Sequence, residues 1–347
     1  MQKKRQANFE CLRIVAILMI IILHYLSKSN LDVKLTQDAG LQNHLLWLLR
    51  AVCISAVNVY VLISGYFFAD SKWNIKKLIY LVLEVWFYSV LVALVLVATG
   101  IVPVDTLTVY DWINVVFPLQ TEHYWFATAY IILYMLAPVL MAAVNHLSQK
   151  ELRLVILLLT GFFAIPKSIV PLFLATDKYG YDFGWFICLF LIAAYYRKYG
   201  ISFLDKCKHP VLLNIASVLC VFIYGAILAL LTRKIGKFEY AMDMVYAYNH
   251  ILVLFASITL FAAWKKITIP QGKISALICR LAPCSFGVYL LHEHFMIRDR
   301  WTTWLSVEMP MNGFDRVLHL IICVLLVYAV GTVVDLIRGL LFKGLKG

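Results

Sequence analysis

The sequence predicts an all-α, polytopic membrane protein, a single bundle of about ten transmembrane helices that occupies residues 1–347. Hydrophobic residues make up 63% of the 347 positions, and the mean hydropathy is +0.84. Only 14% of the residues are charged, against roughly 25% in soluble globular proteins. No polar stretch is long enough for a second folded domain, so the whole chain is expected to form one membrane domain.

Ten segments of the sequence are apolar over a length near the roughly 20 residues that cross a bilayer as a helix. They are residues 8–26, 45–69, 76–99, 123–143, 152–175, 183–199, 209–232, 248–265, 281–297 and 317–342. The fifth is interrupted by Pro166 and Lys167, and the ninth is short. Between the third and fourth segments, residues 109–117 predict a short interfacial helix with Tyr110 and Trp112 at headgroup depth.

The distribution of Lys and Arg predicts that both termini are cytoplasmic. Cytoplasmic loops of membrane proteins carry an excess of these residues. With ten spans and the N-terminus inside, the inner connections hold nearly twice as many Lys and Arg as the outer ones. The same scattered distribution argues that the net charge of +12 does not reflect a nucleic-acid-binding patch.

Lys3, Lys4 and Arg5 precede an apolar run that contains Arg13 and lacks a cleavage site, which favours a retained anchor over a signal peptide.

The first segment carries two residues that are costly in a bilayer. Arg13 and His24 are eleven residues apart, which at ~100° per residue is about three turns plus 20°, so both lie on one face. Their axial separation is ~16 Å. Considered by itself, each residue has a simpler explanation. Arg13 is typical of an anchor whose charged end reaches the membrane surface, and His24 is typical of an interfacial residue at a helix end. Their shared face indicates a passage or a site instead.

Polar residues of the second and third segments are candidates for the same site. Gly65 permits a close helix approach, and Ser64 can bond across a helix interface, although packing alone also explains the pair. Glu84 is a carboxylate that needs a partner inside the membrane, and Arg13 is one candidate.

Later segments add aromatic residues and histidines. Tyr124 and Trp125 open the fourth span, where they suit either an interfacial belt or a pocket wall. Ser285, Tyr289 and His292 fall at i, i+4 and i+7, which places a polar stripe on one helix face.

No metal site is expected from the sequence. His292 and Glu293 are neighbours that point about 100° apart in a helix, so they are not a preformed dyad. His292 and His294 diverge by about 200°, which argues against their binding one ion. The eight cysteines lie mostly in apolar runs, without CxxC or metal-ligand spacing.

These residues together resemble the acyltransferase family 3 membrane proteins of bacteria, and the resemblance covers essentially the whole chain. The family's pattern of arginine, ten residues and histidine in the first span matches Arg13 to His24. Three further matches follow in order: Ser64-Gly65-Tyr66-Phe67, Tyr124-Trp125-Phe126 leading to Pro138, and Ser285-Phe286-Gly287-Val288-Tyr289-Leu290-Leu291-His292. The sequence has no GxSxG, P-loop or HExxH motif, so the chemistry is expected inside the bundle.

The resemblance implies O-acylation, usually acetylation, of a hydroxyl on a carbohydrate or glycolipid of the cell envelope. The implied donor is acyl-CoA, and the implied location is the bacterial cytoplasmic membrane, surrounded by lipid. Many members carry an extra extracytoplasmic hydrolase-like domain, which this sequence lacks. The expectation is therefore a stand-alone polysaccharide or glycolipid acylase, and it stays open whether a separate extracytoplasmic partner completes the transfer.

The resemblance and the geometry together suggest a role for each candidate. His24 is expected to act as a general base or to carry the acyl group itself, with Tyr289 and His292 polarising the thioester or positioning the acceptor. The residues expected to hold the donor's phosphates are Arg13, Lys72, Lys76 and Lys77. The residues expected to contact substrate are Ser64, Glu84, Tyr124, Trp125 and Ser285.

Two other classes of protein remain open. Polar residues at mid-membrane also suit a transporter or flippase for a polysaccharide or lipid-linked sugar, for which paired broken helices would be the sign. The fifth segment is the one interrupted span in the sequence, and it has no clear counterpart. An anchor or sensor without catalysis would leave the shared face of Arg13 and His24 unexplained.

Overall fold

The computed structural model is helical throughout the residues that it describes, and no strand occurs among them. These residues are 5–28, 40–69, 71–170, 178–237, 242, 244–309, 311 and 313–342. Eight of the helical segments found there are long and apolar enough to cross a membrane. The prediction of an all-α, multi-pass membrane protein is confirmed.

Fifteen α-helices are found among the described residues. They are α1 Ala7–Lys28, α2 Leu41–Cys53, α3 Ala56–Phe68, α4 Ile75–Ala98, α5 Val109–Val116, α6 Trp125–His146, α7 Gln149–Ile169, α8 Phe183–Tyr199, α9 Ser202–Lys206, α10 Pro210–Ile235, α11 Ile251–Lys266, α12 Lys273–Leu281, α13 Ser285–His292, α14 Arg300–Trp304 and α15 Gly313–Leu341.

Each of the ten predicted segments coincides with one or two of these helices. Eight correspond to the long apolar segments, whereas α8 and α11 are shorter, with 17 and 16 residues. More than half of α8 is buried inside the bundle. The short helix predicted at residues 109–117 is confirmed as α5, whose first turn is closed by a reciprocal capping box between Thr108 and Asp111, and its interfacial position stays a prediction.

Three predicted boundaries differ from the structure. The second span is divided at Ile54 and Ser55 into α2 and α3. The ninth begins earlier, at Lys273, and ends earlier, at His292, with a 3₁₀ turn at Ala282–Cys284 where Pro283 cannot donate a backbone hydrogen bond. The fifth continues through Pro166 to Ile169, and residues 171–175 of that segment lie outside the described part of the chain.

A close contact between α3 and α8 places the C-terminal part of the second span against the bundle core. A Cβ atom at Gly65 would lie 2.8 Å from the Phe190 carbonyl oxygen and 2.9 Å from its Cα atom. The expectation that Gly65 permits a close helix approach is confirmed. The neighbouring Ser64 turns the other way, where its Oγ lies 3.1 Å from the Tyr130 hydroxyl.

A buried ionic network joins α4 to α15. Arg338 Nη2 lies 2.8 Å from Glu84 Oε1, and Arg338 Nε lies 2.7 Å from Asp335 Oδ1. Arg338 also donates to the Tyr80 hydroxyl at 2.6 Å, and the Tyr88 hydroxyl donates to Asp335 at 3.0 Å. One guanidinium thus serves two buried carboxylates, which is the geometry that offsets their desolvation.

Glu84 therefore pairs with Arg338, and the expected pairing with Arg13 was wrong. Arg13 instead bonds Glu10, one turn earlier on the same helix, with Nη1 2.9 Å from Oε1 and 3.1 Å from Oε2. The spacing of three residues brings these two side chains together without any tertiary contact. Glu84 finds its cation on the last helix, which no local pattern indicates.

We expect Gly65→Val to destabilise the fold by about 1–3 kcal/mol, because the new side chain meets backbone atoms that cannot move aside. The measurement is thermal unfolding of the purified protein in detergent. Gly161→Ala is the matched control, since no atom lies within 4 Å of its Cβ position. Equal melting temperatures for Gly65→Val and the wild type would contradict the close contact.

We expect Arg338→Gln to cost about 3–5 kcal/mol of stability, because it removes the cation that the buried carboxylates of Glu84 and Asp335 share. Thermal unfolding is again the measurement. The triple variant Glu84→Gln/Asp335→Asn/Arg338→Gln removes all three charges and should recover most of the loss. A triple variant no more stable than Arg338→Gln would show that the charges are not the cause.

Candidate active site

Two adjoining cavities extend from the inner end of the bundle towards the outer end of α1. The upper cavity, of about 290 Å³, is lined by both Arg13 and His24. The lower cavity, of about 1100 Å³, is also lined by Arg13. The residues that line both cavities are Arg5, Arg13, Ser64, Leu81, Glu84, Tyr130 and Pro283. The face shared by Arg13 and His24 is therefore one wall of the upper cavity, and the two adjoining cavities together are called the passage.

His24, near the outer end of α1, makes a hydrogen bond that crosses to α13. Its Nδ1 atom lies 3.0 Å from His292 Nε2, and His292 Nδ1 lies 2.6 Å from the Val288 carbonyl oxygen. A carbonyl only accepts, so we assign the His292 proton to Nδ1 and leave Nε2 as an acceptor. His24 Nδ1 then donates to it, and the lone pair of His24 lies on Nε2.

Glu293 completes the surroundings of His24. Its Oε1 atom lies 3.1 Å from His24 Nδ1, and its side chain is 16% exposed. Oε1 accepts no hydrogen bond, because the Nδ1 proton is directed at His292. Glu293 thus places a carboxyl oxygen beside the ring of His24.

The sequence analysis missed Glu293 as a site residue. Helical spacing separates it from His292 by about 100°, and the two were expected to diverge. The structure ends α13 at His292, and Glu293 adopts φ −96° and ψ 3°, so helical spacing does not apply to it. Both side chains converge on His24 instead of on each other. His294 points elsewhere, with Nε2 3.1 Å from the Ser89 carbonyl oxygen.

The remaining sequence candidates fall into three groups. Those lining the upper cavity are Ser64, Glu84, Trp125, Ser285 and Tyr289. Those lining the lower cavity are Lys72, Lys76 and Lys77, together with Ser64 and Glu84. Tyr124 lines neither of these cavities. It is fully buried behind the wall, stacked on His123 with ring centroids 4.0 Å apart, so it supports the site instead of presenting a face to a sugar.

Aromatic residues that the sequence analysis did not single out surround Trp125. The Trp125 ring lies 4.4 Å from that of Tyr181 and 5.9 Å from that of Tyr248, between centroids. Tyr248 lines the upper cavity with Trp125. Their positions are distant in the sequence and lie at helix ends or in connections, so no periodic pattern groups them.

The outer end of α1 is tied to the segment that follows α13. Lys28 Nζ lies 2.7 Å from Asp299 Oδ1 and donates to the Arg298 carbonyl oxygen at 2.7 Å. Partial burial raises the pKa of Asp299, but the Lys28 ammonium outweighs it and holds this pKa below its ordinary value. The bond helps to keep His24 in register with His292.

One comparison with known proteins found a match. Residues 6–336 match a family model described as an acyltransferase domain. No curated protein and no solved structure matches the chain. Because the family match extends over nearly the whole chain, and the site lies within it, the protein belongs to acyltransferase family 3.

Proposed function

We propose that this membrane acyltransferase moves an acyl group, usually acetyl, from cytoplasmic acyl-CoA to a hydroxyl of a cell-envelope or exported polysaccharide or glycolipid in a bacterial cytoplasmic membrane. The observation that carries the proposal is the passage lined by Arg13 and His24, with the Nδ1 atom of His24 committed to His292. This bond leaves Nε2 available for chemistry.

The lower cavity suits the anionic end of acyl-CoA. Its cationic lining residues are Arg5, Arg13, Lys72, Lys76, Lys77, Arg280 and Arg338. The acidic residues Glu84 and Asp335 of the same wall are already paired with Arg338. The lining residues therefore carry more positive than negative charge, which favours binding of phosphate groups, and an arginine can bind a phosphate through two parallel hydrogen bonds.

The upper cavity suits the donor's neutral arm. Ile17, Ile20, Val57 and Leu81 contribute apolar wall between the level of Arg13 and that of His24. The ~16 Å between these two residues along α1 is the distance that the arm has to cover. A thioester carried by the arm would arrive next to His24.

The proposed reaction at His24 needs no reactant other than the acyl thioester and the acceptor hydroxyl. Nε2 takes the proton of the acceptor hydroxyl, and the oxygen attacks the thioester carbonyl. When the C–S bond breaks, the same proton passes from Nε2 to the leaving sulfur, which gives the ester and free CoA. While His24 is an imidazolium, its charge is stabilised by Glu293, 3.1 Å from Nδ1. The same lone pair can instead attack the thioester and form an acyl-histidine intermediate.

Residues on the opposite side of the cavity are suited to hold the reactants. Ser285 and Tyr289 line the cavity with His24 and carry hydroxyl groups that can donate to the thioester carbonyl. Trp125 and Tyr248 present aromatic rings to the same space. Such rings pack against the apolar faces of sugars, which supports a carbohydrate acceptor.

One structural feature bears on the alternative of a transporter or flippase. Two spans are broken, the second at Ser55 and the ninth at Ala282–Cys284, and paired breaks are typical of transporters. Transport does not require the bond between His24 and His292. If a change that disrupts this bond removes the acyl groups of the glycan while export of the glycan continues, the protein acts in acyl transfer and not in transport.

We expect His24→Ala to lower acyl transfer by about 10²–10⁴-fold, because it removes the proton acceptor. The measurement is the mass of envelope glycans from cells carrying each variant, compared for a lost acyl increment. The control is His146→Ala, which changes an exposed histidine outside both cavities. Full acylation with His24→Ala, at equal protein level, would rule out the proposed chemistry.

We expect Lys72→Gln/Lys76→Gln/Lys77→Gln to raise the KM for acetyl-CoA about tenfold, the equivalent of about 1.4 kcal/mol. The KM for S-acetyl-pantetheine, which lacks the nucleotide portion and its phosphates, should not change. Both are measured as thiol release in membrane vesicles that contain the host glycans. Lys150→Gln, an exposed residue outside the lower cavity, is the control. Equal effects on the two donors would place the phosphates elsewhere.

A further inference from the structure

We propose that His24, His292 and Glu293 form a binding site for a divalent transition-metal ion such as Zn²⁺, and that an ion bound there blocks acyl transfer. The inhibitory half of this proposal rests on the proposed function, whereas the binding half does not. The site was not expected from the sequence, because His292 was compared only with its neighbours Glu293 and His294 and not with His24 on the first helix.

The three donor atoms are close enough for one ion. His24 Nδ1, His292 Nε2 and Glu293 Oε1 all lie within 4.8 Å of one another, and the two distances from His24 Nδ1 are 3.0 and 3.1 Å. In a tetrahedral site, two ligand atoms that are each ~2.0–2.1 Å from the ion lie ~3.3–3.4 Å apart, only a few tenths of an ångström more than these two distances. The spacing is thus that of neighbouring ligands, with the ion replacing the proton between the nitrogens.

The chemistry of the donors selects the class of ion. Two imidazoles and one carboxylate are the ligands of zinc and other first-row transition metals, whereas calcium and magnesium prefer all-oxygen sites. Glu293 Oε1 is buried and accepts no hydrogen bond, so it lacks the compensation that a cation would give it. Three protein ligands leave a further coordination position open.

The orientation of His292 is already that of a metal ligand. Its Nδ1 atom donates to the Val288 carbonyl oxygen at 2.6 Å, which directs the Nε2 lone pair at His24. Ligand histidines commonly use their second nitrogen in this way, and the bond fixes the ring. The site also has access to solvent, since the side chains of His24 and Glu293 are 24% and 16% exposed.

Occupation of the site and catalysis exclude each other because both use the ring of His24. With the ion on Nδ1, the ring proton moves to Nε2, and the imidazole stays neutral. Nε2 then carries a hydrogen and has no lone pair to accept the proton of a hydroxyl or to attack a thioester. The bound ion therefore removes the base without displacing any substrate.

Direct titration of the full-length protein in detergent tests the binding half. After removal of metals with a chelator, Co²⁺ is added without substrates, and its visible d–d absorption is followed. We expect one Co²⁺ per chain, displaced by Zn²⁺. Glu293→Gln keeps the side-chain shape and should weaken binding about 10- to 100-fold, and His292→Ala should do the same. Thermal unfolding confirms that both variants are folded.

His146→Ala is the control for adventitious binding to histidine and should bind as the wild type does. Absence of Co²⁺ binding by the wild type, or unchanged binding by both site variants, would overturn the site. Zn²⁺ should also stop acyl transfer by the wild type, and a chelator should restore it. Binding that leaves transfer unaffected overturns the inhibitory half. Metal-free protein that transfers no acyl group refutes the proposed function instead, and the Co²⁺ titration still decides the site.

Discussion

The hydrogen bond between His24 and His292 is the interaction on which the functional part of the bundle depends. Inside a membrane, a polar nitrogen without a partner costs several kcal/mol, so two histidines on different helices are most stable when each satisfies the other. Here the bond fixes the packing of α1 against α13 and also the positions of the protons on the two histidines. Because Val288 already accepts from His292, the position of every proton in the chain of bonds is determined, and one nitrogen of His24 is left for chemistry.

A second polar network, of different character, lies at the inner end. Glu84, Asp335 and Arg338 form an ionic network that joins α4 and α15, while the histidine pair at the outer end is neutral in its resting state. The passage connects the two. The ionic end suits the binding of a charged ligand, and the neutral end suits the transfer of a proton. The close packing of Gly65 on Phe190 keeps the intervening wall in place.

Local patterns in the sequence were sufficient for the helical fold, the shared face of Arg13 and His24, the close approach at Gly65 and the short helix α5. Each of these depends on residues within a few turns of one another. The partner of Glu84 could not be predicted, because Arg338 lies on the last helix and only the tertiary fold brings the two together. Glu293 was missed for a different reason. Helical geometry was applied one residue beyond the point where the helix ends, and the turn there redirects the side chain towards His24.

The length of the passage has an energetic consequence. Moving one elementary charge across a membrane potential of 100 mV is worth about 2.3 kcal/mol. In the proposed reaction, the phosphates of the donor stay at the inner end, and only an uncharged arm reaches His24. The proton taken from the acceptor returns to sulfur at the same depth. No net charge crosses the bilayer, so the membrane voltage neither drives nor opposes the transfer. In that reaction, the free energy of the thioester alone drives the transfer of the acyl group from the donor to the acceptor.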